Sequence, residues 1–279
     1  MKFTKMQGAG NDFIIINNME EKLPYEQLSY VAKTLCKRKL SIGADGFMAV
    51  DFPRQGGDFR MLFFNADGSL GEMCGNGARC IARYGYEKGL ASAKQKIETT
   101  AGMIYGWKES ESQYKIQLND VSYFDLHKVA RVGSSEYDCA YVELGSPGIP
   151  HAIVEQKDLE HIEPESLWML GQKLRSHDGF PKGANVNFYD VIDKDHIRLL
   201  TYERGVEDFT LACGTGAGST VFALKELGLV SGNQVQVTVP GGELTIHLLS
   251  RLEGGKSLFL TGPTNVVAEG VVKDAALVF

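Results

Sequence analysis

The chain has 279 residues, 43% of them hydrophobic and 23% charged, with a formal net charge of −6. That length allows one large domain or two of ordinary size, globular and not disordered, and the acidic balance gives no bulk attraction to nucleic acid or an anionic membrane. The five cysteines, Cys36, Cys74, Cys80, Cys139 and Cys213, are too sparse for a disulfide scaffold; they form no C-x-x-C pair and have no histidine at ligand spacing, so no structural metal is expected.

The first residues contain no apolar core of signal-peptide length, and no later run approaches membrane-spanning length, so a cytoplasmic protein is expected. Phe3 to Asn17 reads as a strand, a glycine-rich turn and a second strand. Its Phe13-Ile-Ile-Ile16 run has the continuous apolar character of a strand covered on both faces. Pro24 to Arg38 has helical spacing, with Leu28, Val31, Ala32 and Leu35 on one side. Phe47–Val50 and Phe59–Phe64 read as strands, Ala78 to Lys88 as a helix stopped by Gly89, and Ile97 to Leu118 as strands around Ala101-Gly102.

The second half repeats this order. Aligning Cys74 with Cys213, an offset of 139 (213 − 74), places Gly75, Gly77 and Ala78 on Gly214, Gly216 and Ala217. The same offset puts Gly89-Leu90 on Gly228-Leu229, Thr99 on Thr238, Gly102 on Gly241, and Asn11-Asp12 on Pro150-His151. The helix at Pro24 to Arg38 has a counterpart at Glu163 to Arg175. One offset held over most of both halves predicts a duplication of two α+β domains. The first is expected at 1–120 and carries Cys74; the second, at 121–264, carries Cys213. They are joined near Asp120 to His127, and a tail strand at Asn265–Val272 is expected to return 265–279 to the first half.

The two cysteine loops, Glu72-Met-Cys-Gly-Asn-Gly-Ala-Arg-Cys80 and Leu211-Ala-Cys-Gly-Thr-Gly-Ala-Gly-Ser219, carry the chemistry. A cysteine at the start of a helix beside glycine-rich backbone has its thiolate favoured by free N–H groups and the helix dipole. The same glycines let backbone N–H groups approach an anion such as a carboxylate. Two buried structural cysteines in tight turns are the bland alternative. A dinucleotide loop lacks its full glycine fingerprint here, and no βαβ crossover is expected around either loop; a phosphate loop lacks Gly-Lys-Ser/Thr. Glu203-Arg204, just ahead of the second loop, suits a zwitterionic amino acid, although adjacent charges usually form surface pairs. Asn65 and Arg204 each stand nine residues before a loop cysteine; Asn11 and Asn185 lie at loop ends where asparagine serves either a ligand or a turn. Asp12 and His151 are of the kind that is more often structural, and Cys36, Cys80 and Cys139 read as packing residues.

Lys5-Met-Gln-Gly-Ala-Gly-Asn-Asp-Phe13, Gly43-Ala-Asp-Gly-Phe47, Phe64-Asn-Ala-Asp-Gly68, Met73-Cys-Gly-Asn-Gly-Ala78 and Glu203 to Ala217 resemble the motifs of the diaminopimelate epimerases over nearly the whole chain. The resemblance implies two pseudo-symmetric α+β domains, each a curved, mostly antiparallel sheet around a central helix, with the active site in the cleft between them. It implies an isomerase of lysine and cell-wall synthesis that uses no pyridoxal phosphate and no metal. Cys213 would take the α-proton of the LL substrate and Cys74 would deliver one to the opposite face. Asn11, Asn65, Gly75, Asn76, Asn185, Glu203, Arg204, Gly214 and Thr215 would bind substrate. Two positions depart from the family: Ile149 stands where many members have asparagine near the distal end of the substrate, and Ala44 where some have glutamine. A racemase of another amino acid, such as histidine, is therefore the competing enzyme reading, with a non-catalytic binding protein of the same fold behind it. The small-molecule substrate is the one partner expected, and the sequence leaves oligomeric state open, a homodimer among the assemblies it allows.

Overall fold

A computed structural model describes all residues except 72–73, 252–254, 275–276 and 278–279. Glu72 and Met73 of the first cysteine motif thus lie outside the described residues, as does most of the tail beyond Asp274. The chain divides into two units: Met1–Ile116 with Gly262–Phe279, and Gln117–Thr261.

In the first unit, β1 (Lys2–Gly8), β2 (Asn11–Asn17), a short α1 (Asn18–Glu21), α2 (Tyr25–Leu35), β3 (Gly46–Asp51), β4 (Phe59–Asn65), α3 (Gly75–Glu87), β5 (Lys94–Thr99), β6 (Gly102–Lys108) and β7 (Gln113–Gln117) follow in order. β17 (Asn265–Val271) pairs antiparallel with β1. The sheet runs β17-β1-β2-β3-β4-β5-β6-β7, and its successive pairings are antiparallel, antiparallel, parallel, antiparallel, parallel, antiparallel and antiparallel.

The second unit holds β8 (Val121–Val132), β9 (Ser135–Leu144), β10 (Ile149–Glu155), α4 (Pro164–Arg175), β11 (Asn185–Asp193), β12 (His196–Glu203), β13 (Asp208–Thr210), α5 (Gly214–Glu226), β14 (Gln234–Val239), β15 (Gly242–Ser250) and β16 (Lys256–Pro263). The order β8-β9-β10-β11-β12-β14-β15-β16 repeats the same series of parallel and antiparallel pairings step for step, with β13 added beside β12. The stretch from Asp120 to His127, expected as a join, lies largely in β8.

Packing follows from the pattern of the strands. In β2, Ile14 and Ile16 turn toward α2, where they meet Leu28, Val31, Ala32 and Leu35 together with Phe47 and Ala49 of β3. The alternate residue Phe13, with Met48 of β3, lies against Gly77 of α3. A strand covered on both faces must be apolar on both, which is why Phe13–Ile16 is a continuous run. Each such side chain, fully buried, contributes about 1.5–3 kcal/mol. In the second unit Leu167 and Leu174 of α4 pack on Val154, Val186, Phe188 and Leu200. α3 and α5 are the inner helices: α3 touches β1, β2 and β6, and α5 touches their counterparts β9, β10 and β15. Both are buried nearly all round. Among the described residues no helix is long and apolar enough to cross a membrane.

Three expectations need correction. The helix expected from Ala78 begins at Gly75, because Cys74 itself is the N-cap. α3 and α5 each bridge a parallel pair, β4 with β5 and β12 with β14, so a β-α-β crossover does surround each cysteine loop. The offset of the repeat also shifts: β2 and β10 match at 138 (149 − 11), so Asn11-Asp12 corresponds to Ile149-Pro150 and not to Pro150-His151, and it changes again after the inner helices. Gly89 and Gly228, both at positive φ (69° and 73°), end α3 and α5 in register. Five residues then lead into β14 where four lead into β5, so Thr99 corresponds to Val239 and Gly102 to Gly242.

Candidate active site

Each cysteine motif folds as strand, loop and helix N-terminus. Cys74 (φ −126°, ψ 122°) and Cys213 (φ −119°, ψ 108°) are the extended N-cap residues of α3 and α5. Neither cap is closed by its own side chain, and neither first turn holds an acidic residue. The leading N–H groups of a helix have no intrahelical acceptor, so each thiol sits beside a positive helix end suited to an anion. Glycine stands at the third helical position of both. A Cβ at Gly77 would fall 2.3 Å from Met48 Cε, and one at Gly216 would fall 2.3 Å from Asn187 Oδ1 and 3.2 Å from Cys213 Sγ. The helix starts are pressed onto the sheet, which fixes where the thiols stand.

Around Cys74 the first unit assembles a polar chain. The half-buried thiol donates to Asn11 Oδ1 at 3.3 Å, and Asn11 Nδ2 donates to Asp45 Oδ2 at 2.7 Å. Arg38 reaches Asp45 Oδ1 at 2.8 Å and grips both oxygens of Asp12 at 2.7 and 3.2 Å, and Lys5 lies 2.6 Å from Asp12. Burial pushes the Asp12 carboxyl up, but the bonds from Arg38 and Lys5 outweigh it and hold the group below the usual carboxylate range. Inside α3, Arg79 is fully buried and donates to Asn76 Oδ1 at 3.0 Å, which turns the Asn76 amide N–H group the other way. Burial pulls the Arg79 guanidinium down to about 10. Asn65, exposed at the end of β4, donates to Ser69 Oγ at 2.9 Å within its own turn.

Around Cys213 the surroundings differ. The buried thiol has Thr215 Oγ1 at 3.6 Å. Glu203 Oε2 accepts from Thr210 at 3.0 Å, and Arg204 donates through Nη1 to Lys182 O at 2.7 Å. Asn185 accepts the Arg204 N–H at 2.8 Å and donates to Pro150 O at 3.2 Å, tying the ends of β10 and β12 to the start of β11. Asn187 lies against Gly216 and links to His151. Thr201 donates to Asn187 Oδ1 at 2.9 Å, so the amide N–H group faces His151 Nδ1 at 3.2 Å and the imidazole proton belongs on Nε2. That nitrogen is buried and has no hydrogen-bond partner among the described residues. Burial, with Arg204 adding to it, brings His151 down to about 3 and keeps it neutral.

Of the residues singled out in the sequence, the first unit thus joins Asn11, Cys74, Gly75 and Asn76, and the second joins Asn185, Glu203, Arg204, Cys213, Gly214 and Thr215. Ile149 opens β10 opposite Leu144 and brings no hydrogen-bonding side chain. Ala44 is buried in the apolar cluster beneath α2. Burial pushes the thiols of Cys36, Cys80 and Cys139 up to about 12, so these three are inert beside the loop cysteines. Sequence reading passed over Arg79 and Asn187 and gave Asp45 no role. The signal for Arg79 was a charge inside a helical run at the place where the twin loop has Gly218.

The family model described as diaminopimelate epimerase matches residues 3–123 and 144–267. The chain is similar to the diaminopimelate epimerase of Aquifex aeolicus, 38% identical over 99% of both chains, and to that of a Hydrogenobaculum species, 39% identical over 98% of both. Its fold is similar to that of a PhzF-family phenazine biosynthesis protein from Bacillus anthracis (TM-score 0.74, 16% identity, covering 98% of this chain and 99% of that one). It is also similar to a hydroxyproline epimerase from Agrobacterium vitis (TM-score 0.66, 15% identity, covering 97% and 91%). Motifs, matched length and identity agree: the chain belongs to the diaminopimelate epimerase family.

Proposed function

We propose that this protein interconverts the LL and meso isomers of 2,6-diaminopimelate by a two-base reaction of Cys74 and Cys213, without pyridoxal phosphate or metal. The observation that supports it most is the repeated placement of a cysteine as N-cap of the inner helix in twin units. Inversion at one carbon needs a base on one face and an acid on the other, and duplicated units supply matched groups of that kind. In the LL direction the Cα–H bond breaks and its proton passes to the Cys213 thiolate. The electron pair left on Cα delocalises into the carboxylate, and the Cys74 S–H protonates Cα from the opposite face. The cycle leaves Cys213 as thiol and Cys74 as thiolate, ready for the reverse reaction.

An amino acid α-proton is very weakly acidic, so charge developing on the carboxylate must be met by fixed donors in a water-poor site. The N–H groups of Gly75, Asn76, Gly214 and Thr215 are suited to that carboxylate. Arg204, with no carboxylate within ion-pair distance among the described residues, suits a second carboxylate, and Glu203 an ammonium. Asn11, Asn65 and the remaining amide N–H of Asn185 complete the polar contacts. A substrate with two amino acid ends uses all of these. We place the protein in the cytoplasm, where thiols stay reduced, and take a homodimer as the assembly to test by sedimentation.

Incubation in D₂O with LL-diaminopimelate or L-histidine, followed by NMR, tests the substrate. Exchange with inversion on diaminopimelate alone supports the reading and makes Ile149 a tolerated change. Exchange on histidine alone overturns the substrate and keeps the chemistry. Mild oxidation should abolish activity and a reductant restore it, since two thiols serving one carbon can pair. Activity that survives consumption of both thiols rules out the two-thiol mechanism.

A further inference from the structure

We propose that Asp45 is a positioning residue that holds Cys74 as the protonated partner of the pair, by fixing which way the Asn11 amide faces. The proposal rests on the two-thiol reading above and concerns only the first unit.

An ionised carboxylate can only accept. Asp45 Oδ2 lies 2.7 Å from one end of the Asn11 side chain, so that end is the NH₂ group and the other is the carbonyl oxygen. The carbonyl oxygen is therefore the atom 3.3 Å from Cys74 Sγ. A carbonyl next to a sulfur can accept from S–H and has nothing to give to S⁻, so this contact favours the thiol over the thiolate. If Asn11 were free to turn, its NH₂ group would face the sulfur and favour the thiolate instead. Asp45 also accepts the backbone N–H of Asp12 on the same oxygen at 3.2 Å, while Arg38 occupies the other at 2.8 Å. The carboxylate is thus aimed by partners that are themselves tied to Asp12 and Lys5.

Among the described residues the second unit differs at the matching place. In strand register Asn11 corresponds to Ile149, the first residue of β10 as Asn11 is of β2, and Pro150 follows it; neither carries an accepting side chain. Cys213 has instead the Thr215 hydroxyl, which can rotate to donate to a thiolate. The asymmetry matches the direction proposed above, with Cys213 resting as base and Cys74 as acid. Arg79 and Cys80 on α3 act on Cys74 electrostatically, while Lys5 on β1, Asp12 on β2 and Arg38 form the cluster that holds Asp45. Arg79 favours the thiolate, so the Asn11 contact acts against a standing positive charge.

The test is alkylation of the substrate-free protein by iodoacetamide across pH, with each cysteine followed by peptide mass mapping. In the wild type, Cys74 should reach half-maximal reactivity at a higher pH than Cys213. Asp45→Ala should lower the Cys74 midpoint by about one pH unit, a roughly tenfold rise in thiolate below the midpoint, and leave Cys213 unmoved. Asp45→Asn separates orientation from charge. Its amide oxygen is best spent on Asn11 Nδ2 and the Asp12 N–H, since the exposed Arg38 can keep Asp12 alone. It should therefore hold the Cys74 midpoint near the wild-type value. No shift in Asp45→Ala, or equal shifts in both variants, overturns the proposal, the second outcome assigning the effect to charge alone. Because no substrate is present, the result stands apart from the diaminopimelate assay: failure of that assay removes the substrate reading and leaves this one intact.

Discussion

The two inner helices and their cysteines are near copies in backbone and unlike in their side-chain surroundings. α3 and α5 are each 13 residues long, are capped by cysteine in the same extended conformation, and lie on strands with one series of pairings. Yet Cys74 meets an amide anchored to a carboxylate–arginine–lysine cluster, whereas Cys213 meets a threonine and stands near a neutral, buried histidine network. Duplication supplied two equal cradles for charge at a helix end. On the proposed mechanism, divergence at the contacts beside each sulfur is what would make one thiol the acid and the other the base.

Removing either sulfur should separate the two half-reactions. Cys74→Ala should lower inversion of LL-diaminopimelate by at least about 10³-fold, since positioned acid–base groups contribute about 10²–10⁴-fold each. Cys213 would still exchange the α-proton of the LL isomer with D₂O, returning it on the same face. Cys213→Ala should lose that exchange and keep it on the opposite configuration. NMR of both isomers in D₂O gives the answer directly, and equal loss of exchange on both isomers in each variant would remove the one-thiol-per-face assignment.

The halves should also differ in their response to acid. His151 is buried and neutral, with its folded pKa near 3, against about 6.5 when unfolded. Between those values the unfolded chain binds the proton and the folded one does not, so stability rises with pH there and is lost as pH falls from 6.5 toward 3. The slope should approach ~1.4 kcal/mol per pH unit. Asp12 is a depressed carboxyl in the first unit, and its contribution is present above about 3.9 and lost only as pH falls below that. Hydrogen exchange followed by peptide should therefore show β10 and β11 losing protection at mildly acidic pH before β1 and β2 do. His151→Leu should abolish the earlier loss, even if it lowers stability at neutral pH.

Much of this was legible in the sequence because glycine and cysteine leave marks that side-chain chemistry alone explains. The Cys-Gly-x-Gly-Ala pair, one offset and the apolar runs were enough to expect α+β duplication, and the helices at Pro24 and Glu163 fall where their stripes place them. What escaped was non-local. The β-α-β crossovers depend on short parallel pairings between Phe59 and Ile97 and between His196 and Gln236, which no local period encodes. The slip from Gly241 to Gly242 comes from one added residue in a loop, invisible to a fixed offset until strand register is known. Asp45, Arg79 and Asn187 act through partners distant in the chain. Each is an ordinary polar residue in sequence and acquires meaning only from what faces it.

The smallest difference concerns the matched glycines at the helix starts. An added Cβ meets a neighbour at 2.3 Å in both, but the neighbours are not alike. At Gly77 it is the terminal methyl of Met48, the loose end of a flexible side chain that can swing aside. At Gly216 it is Asn187 Oδ1, held by Thr201, while the same amide donates to His151, Ala152 O and Asn185 O. That side chain cannot move without breaking several buried hydrogen bonds. Gly216→Ala should therefore cost about 1–3 kcal/mol, the usual range for overpacking, and Gly77→Ala less than that. Gly216→Ala should lower activity as well, since its Cβ would stand 3.2 Å from Cys213 Sγ. Denaturant unfolding of the two variants measures the contrast. Equal costs would mean that Asn187 yields as easily as a methionine, and that the network behind Cys213 is looser than its hydrogen bonds imply.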